Sequence, residues 1–141
     1  MLPVGYQLID DQAQIDPIAA HAYLTTSYWS SGIPLETVKQ ALAGSFCVAI
    51  QKEGAQLAFA RVVTDYATFA YLADVYVLEA HRGHGLAQAM LRHLQAHERL
   101  QGLRRWALFT HDAQPLYAKL GWGVYPHPER LMTLDALDVY S

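Results

Sequence analysis

At 141 residues, the chain fits one compact domain spanning residues 1–141 and leaves no room for a second independent core. Apolar residues make up 52% and charged residues 16%, which excludes a disordered, solvated chain, and a net charge of -3 with no basic run excludes a grip on nucleic-acid phosphates. No stretch approaches the roughly 20 apolar residues of a membrane helix, no signal segment opens the chain, and the single Cys47 forms no internal disulfide, so the expectation is a soluble, cytoplasmic protein without membrane contact.

In chain order, Val4 to Ile9 reads as a short strand. Asp16 then caps a helix with Ile18, Ala19, Ala22 and Tyr23 on one face. After a loop over Ser27 to Gly32, Pro34 suits the first turn of a second helix with Leu35, Val38, Ala41 and Leu42 at helical spacing, stopped at Gly44. Phe46 to Ile50 and Leu57 to Val63 are apolar, β-branched runs joined by a short glycine-containing connection, which predicts an antiparallel hairpin. A turn over Thr64 to Thr68 leads into Phe69 to Val77, apolar on both faces and therefore a central strand covered on each side. Leu86, Ala87, Met90, Leu91, Leu94 and Ala96 define a long helix running to about Gln101. Trp106 to Thr110 resumes strand character, Asp112 can cap a short helix through Lys119, and Leu131 to Leu134 suggests a final strand pair. The result is an α/β fold with a mixed sheet and helices on its faces.

Chemistry concentrates where the central strand, ending in Val75-Tyr76-Val77, passes through Arg82-Gly83-His84-Gly85 into the longest helix. Gly83 and Gly85 allow backbone conformations closed to other residues and a close approach to a ligand. The unpaired first-turn N–H groups and the helix dipole favour a phosphate, and Arg82 adds a fixed positive charge. A dinucleotide fingerprint would need a third glycine where Gln88 stands, and the Gly-Lys-Ser/Thr ending of a nucleotide-triphosphate loop is absent.

The segment Val77 to Ala87 resembles the acetyl-coenzyme A binding motif of the GCN5-related N-acetyltransferases, Arg/Gln-x-x-Gly-x-Gly/Ala, with Arg82, Gly85 and Ala87 in register. Downstream, Leu116-Tyr117-Ala118-Lys119-Leu120-Gly121-Trp122 resembles that family's second block. One departure is Glu79, where many members carry proline. The resemblance implies a mostly antiparallel sheet splayed between strands 4 and 5, about four flanking helices, and acetyl-CoA as cosubstrate. It further implies the coenzyme's pyrophosphate on the backbone of Arg82, Gly83, His84, Gly85, Leu86 and Ala87, and its pantetheine arm along Val75, Tyr76 and Val77. A primary amine, small-molecule or peptide, would be the acceptor, attacking the thioester directly; a coenzyme sensor without turnover is the alternative, and a homodimer is allowed.

The same resemblance makes Tyr117 the candidate general acid toward the coenzyme sulfur. Asp74 interrupts an apolar strand, where a carboxylate needs a partner or a wet cleft. It is a candidate general base, with a backbone-tied structural role, Glu79 or ordered water as alternatives. The resemblance, which sets the loop between the first two helices beside the cleft, also makes Tyr28 and Trp29 candidates for the acceptor pocket. His93 and His97 stand one helical turn apart, but Leu94 occupies the place of the glutamate in a zinc-protease helix, so no metal is expected and both are read as solvent-facing.

Overall fold

The computed structural model describes residues 2–140. One sheet carries five strands in the order β1-β2-β3-β4-β5: β1 (Gln7–Ile9), β2 (Phe46–Lys52), β3 (Ala55–Thr64), β4 (Phe69–Val77) and β5 (Arg105–Ala107). The first four pair antiparallel, whereas β5 runs parallel to β4. Helices α1 (Pro17–Leu24) and α2 (Leu35–Ala43) pack on one face, and α3 (Leu86–Ala96) and α4 (Gln114–Ala118) on the other.

Period-2 alternation sorts the strand side chains between these two layers. From β2, Phe46, Val48 and Ile50 meet Leu86, Met90, Leu91 and Leu94 of α3, while Cys47 and Ala49 join Leu24, Val38 and Leu42 under α1 and α2. β3 follows suit, with Ala58, Ala60 and Val62 toward α3 and Phe59 toward the other layer. In β4 the parity breaks. Ala70 and Leu72 face α3, yet Tyr76 faces α1 and α2. The cause is a bulge: Phe59 pairs with Tyr76 but Arg61 pairs with Ala73, so β4 spends one residue more than β3. Asp74 takes up the extra residue with a left-handed φ of 57°, a conformation aspartate tolerates better than most side chains.

That bulge sits where the sheet opens. The parallel ladder joins Phe69, Ala70 and Tyr71 to Arg105, Trp106 and Ala107 and ends there, leaving β4 from Leu72 onward without a neighbour on that side among the described residues. The splay between strands 4 and 5 is therefore present, and β5 is shorter than the expected Trp106 to Thr110 because its partner turns away.

Several local expectations need correction. α1 starts at the Asp16 cap, whose Oδ1 accepts from the N–H groups of Ile18 and Ala19 at 2.9 and 3.3 Å. Its buried residues are Ala20 and Leu24, not the face of Ile18 and Ala22, and Ile18 is 64% exposed. α3 stops at Ala96, since His97 turns extended and Gln101 Nε2 donates to the carbonyls of Gln95 and His97. Before α4, Thr110 Oγ1 rather than Asp112 accepts the Ala113 N–H, at 3.0 Å. Residues 131–134 form no strand: they are exposed and have no pairing partner among the described residues.

The β3–β4 turn is held by one carboxylate. Asp65 Oδ1 accepts from the N–H groups of Ala67, Thr68 and Phe69 at 2.9, 2.8 and 3.2 Å, and Oδ2 accepts the Thr68 hydroxyl at 2.7 Å. The Thr68 bonds first, then that of Ala67, hold its carboxyl far below the usual carboxylate range. A depressed folded value means stability that is complete above about pH 4, the unfolded value, and fades as pH falls through the folded one. Melting temperature recorded against pH should therefore decline more steeply in acid for the native chain than for Asp65→Asn. Parallel curves would show that the turn contributes no such linkage.

Candidate active site

The phosphate-type turn is built as its glycines require. Gly83 and Gly85 have φ of 82° and 73°, and Gly85 is itself the N-cap of α3, with no side chain capping the helix. A Cβ placed on either glycine would meet nothing within 4 Å, so their conformation, not crowding by the chain, demands glycine. With no side-chain cap on α3, its first-turn N–H groups are the kind of donors that suit an anion. Arg82 donates from Nε to the Val77 carbonyl at 3.0 Å. It therefore fixes the strand exit while keeping its charge beside the turn.

Two residues not singled out in the sequence support this turn. The Tyr6 hydroxyl bonds His81 Nδ1 at 2.9 Å, its ring lies 6.0 Å from that of His84, and Lys52 Nζ sits 4.9 Å from the Tyr6 ring centroid. His81, Arg82 and His84 flank the glycines in sequence, and Tyr6 thereby links Lys52 to His81 and His84. Tyr6 and Lys52 come from the far side of the sheet, so local spacing held no signal for them.

Val75 and Val77 are half-buried against the α3 layer, whereas Tyr76 is buried in the opposite layer, stacked on Tyr23 with centroids 4.1 Å apart. Burial pushes the Tyr76 phenol well up. Tyr76 consequently offers the opening only its backbone.

Across the splay stands Tyr117 on α4, 9% exposed, with its ring 5.8 Å from Trp122. Among the described residues no group bonds its hydroxyl, and that oxygen is not sealed from solvent. Burial first, and Tyr28 nearby second, raise its phenol above the ordinary value. Tyr28 is strongly exposed, and its ring lies 5.8 Å from that of His111, a residue the sequence gave no reason to notice.

Asp74 and Trp29 belong together. Trp29 Nε1 donates to Asp74 Oδ1 at 2.9 Å, Arg61 Nε donates to Oδ2 at 2.8 Å, and Arg61 Nη1 reaches the Ser45 hydroxyl at 3.1 Å. The Arg61 and Asp74 side chains are 17% and 11% exposed. The carboxylate thus ties the loop after α1 to the bulge of β4. Glu79 lies apart, exposed in a 3₁₀ turn.

His93 and His97 are half-buried and do not simply face solvent. Their Nε2 atoms lie 2.7 and 3.5 Å from Asp10 Oδ2. His97 Nδ1 accepts the Arg99 N–H at 3.1 Å, which leaves the ring proton on Nε2, directed at Asp10. The cluster is a hydrogen-bonded clasp between the end of β1 and α3. Cys47 is sealed in the core, its thiol pushed up to about 12 by burial above all; it is no nucleophile.

A strand splayed from its neighbour at a bulge, a glycine-capped helix at the gap and a buried tyrosine on α4 are the elements of the candidate site. Residues 43–124 match the family model of the acetyltransferase (GNAT) domain. A protein from Gibberella zeae named as an acetyltransferase is 32% identical over 127 residues, covering 75% of this chain and 71% of its own. A crystal structure of a GNAT-family acetyltransferase from Xanthomonas campestris is 41% identical and superposes with a TM-score of 0.94, covering 100% and 99% of the two chains. A Clostridium acetobutylicum acetyltransferase solved with acetyl-CoA shares the fold, with a TM-score of 0.68 at 17% identity over 98% of each chain. The chain belongs to the GNAT acetyltransferases. Members of this family use acetyl-CoA as cosubstrate. No helix among the described residues is long and apolar enough to cross a membrane.

Proposed function

We propose that this protein transfers an acetyl group from acetyl-CoA to a primary amine, on a small molecule or a peptide, by direct attack within a ternary complex. The observation that carries the reading is the unpaired stretch of β4 after Leu72, leading directly to the uncapped helix end at Gly85. On the side away from β3, the backbone leading through Val75 and Tyr76 offers an extended pantetheine arm the pairing of an added strand. The N–H groups from Arg82 to Ala87 receive the pyrophosphate, with Lys52 and Arg82 supplying charge.

The reaction makes a C–N bond to the acetyl carbonyl carbon and breaks the C–S bond. The amine gives up a proton, and the departing thiolate takes one. Tyr117 is the proton donor: its phenol, raised by burial, stays protonated through the physiological range. The amine's proton leaves through water in the cleft, since both Asp74 oxygens are already engaged. Tyr28 and His111 flank the acceptor entrance, and Asp74 acts as a positioning residue that holds Trp29 and, through it, the Tyr28 loop.

Titration calorimetry with acetyl-CoA should give a saturable heat, and an amine panel followed by thiol release should identify an acceptor. Absence of heat at millimolar coenzyme overturns the reading. Heat with no turnover of any amine leaves a coenzyme sensor as the function.

A further inference from the structure

A proton that leaves the amine through water needs an acceptor beyond it. A neutral imidazole serves at physiological pH without a shifted pKa, and the chain has seven histidines. Most are engaged. His21 Nε2 bonds the Ile33 carbonyl at 3.0 Å, His81 bonds Tyr6, and His93 and His97 clasp Asp10. His127 stands 3.7 Å from a Glu129 oxygen, and His84 belongs to the glycine turn beside Tyr6. His111 remains: it is exposed, no group among the described residues bonds its ring, and it meets Tyr28 edge to face.

Its place in the fold sets it on the side from which an amine would come. Past the end of β5, Leu108 packs with the α3 layer, as does Tyr117 farther on. The alternate positions turn the other way: Phe109 meets Tyr71 and His111 meets Tyr28, with ring centroids 6.0 and 5.8 Å apart. The Trp29–Asp74 bond ties the Tyr28 loop to the bulge of β4, whereas His111 follows β5, which has parted from β4 by that point. The ring pair therefore bridges the splay. Tyr28 also stands near enough to Tyr117 to raise its phenol, second to burial. The turn that carries His111 is fixed, because Thr110 Oγ1 accepts the Ala113 N–H at 3.0 Å and α4 starts at the next residue.

We propose that His111 is the general base of the reaction, taking through the cleft water the proton that the amine gives up. As the nitrogen lone pair forms the C–N bond, the surplus proton passes to a ring nitrogen of His111 and then to solvent. The C–S electron pair leaves with sulfur, which takes the Tyr117 proton, and the phenolate regains one from solvent. Base and acid stand on different faces of the segment after β5, so neither neutralises the other. The titratable groups beside the imidazole are Tyr28 across the splay and Asp112 next along the chain. The inference rests on the acetyl-transfer reading and deepens it.

With an acceptor from the amine panel at saturation, His111→Gln should lower kcat about 100-fold at neutral pH, the lower end of what a positioned base supplies, with acetyl-CoA affinity kept within about twofold. The acidic limb of the native kcat profile should vanish in the variant. His111→Ala should regain activity in step with added imidazole, which a merely structural role would not allow. An unchanged kcat, or a loss that imidazole does not relieve, overturns the proposal. Coenzyme heat without turnover of any amine by the native protein overturns instead the acetyl-transfer reading, and the base with it.

Discussion

Tyr117→Phe should slow acetyl transfer about 100-fold or more, in the range general acids supply, while acetyl-CoA affinity stays within about twofold and the melting temperature is unchanged. The substitution removes one oxygen and leaves the ring against Trp122. Among the described residues no group loses a bond, because none bonds the Tyr117 hydroxyl. Loss of kcat at constant coenzyme affinity is the mark of a group acting only as the C–S bond breaks. The pH profile adds a second check. Burial raises the phenol above its ordinary value of about 10, and a general acid must be protonated, so the native enzyme should show no basic limb from this group below about pH 10. An unchanged kcat in the phenylalanine variant, or a basic limb near neutrality that the variant abolishes, would rule Tyr117 out as the donor.

What could be read from the sequence was whatever depends on neighbours along the chain. The Asp16 cap, the Gly83 and Gly85 turn and the antiparallel hairpin of β2 and β3 are local consequences of residue type and period, and they stand. The bulge at Asp74 is different. Nothing in Phe69 to Val77 announces an extra residue; it exists because β3 and β4 differ in length between two fixed pairings. That single residue sends Tyr76 to the layer opposite Leu72 and lets β5 part from β4, so the cleft is a tertiary product.

The site residues divide the same way. Arg82, Gly85 and Tyr117 sit in motifs, whereas Tyr6 and Lys52 come to the glycine turn's flank from distant segments and His111 meets Tyr28 only through the fold. Asp74 could be flagged as a misplaced carboxylate, but its partners lie 13 and 45 positions away at Arg61 and Trp29. The tail shows the converse: Leu131 to Leu134 has strand composition, yet a strand needs an edge to pair with.

Asp74→Ala should lower stability by about 2–3 kcal/mol, equivalent to roughly 5–10 °C in melting temperature. It leaves the guanidinium of Arg61, mostly withdrawn from water, without its counter-charge, frees the Trp29 indole, and puts alanine at a φ of 57°, which costs about 1 kcal/mol of that total. Asp74→Asn should cost less, because asparagine tolerates the left-handed conformation and still accepts from Trp29. Adding Arg61→Met to Asp74→Asn should recover part of the loss, since no uncompensated cation then remains; strictly additive losses would show that the pair is not coupled. Kinetics separate positioning from catalysis. If Asp74 acts by holding the Trp29 and Tyr28 loop, Asp74→Asn raises KM for the amine several-fold and leaves kcat and coenzyme affinity nearly intact. A fall in kcat of about 100-fold at constant KM, together with loss of the acidic limb of the rate profile, would instead make the Asp74 carboxylate the base that takes the amine's proton.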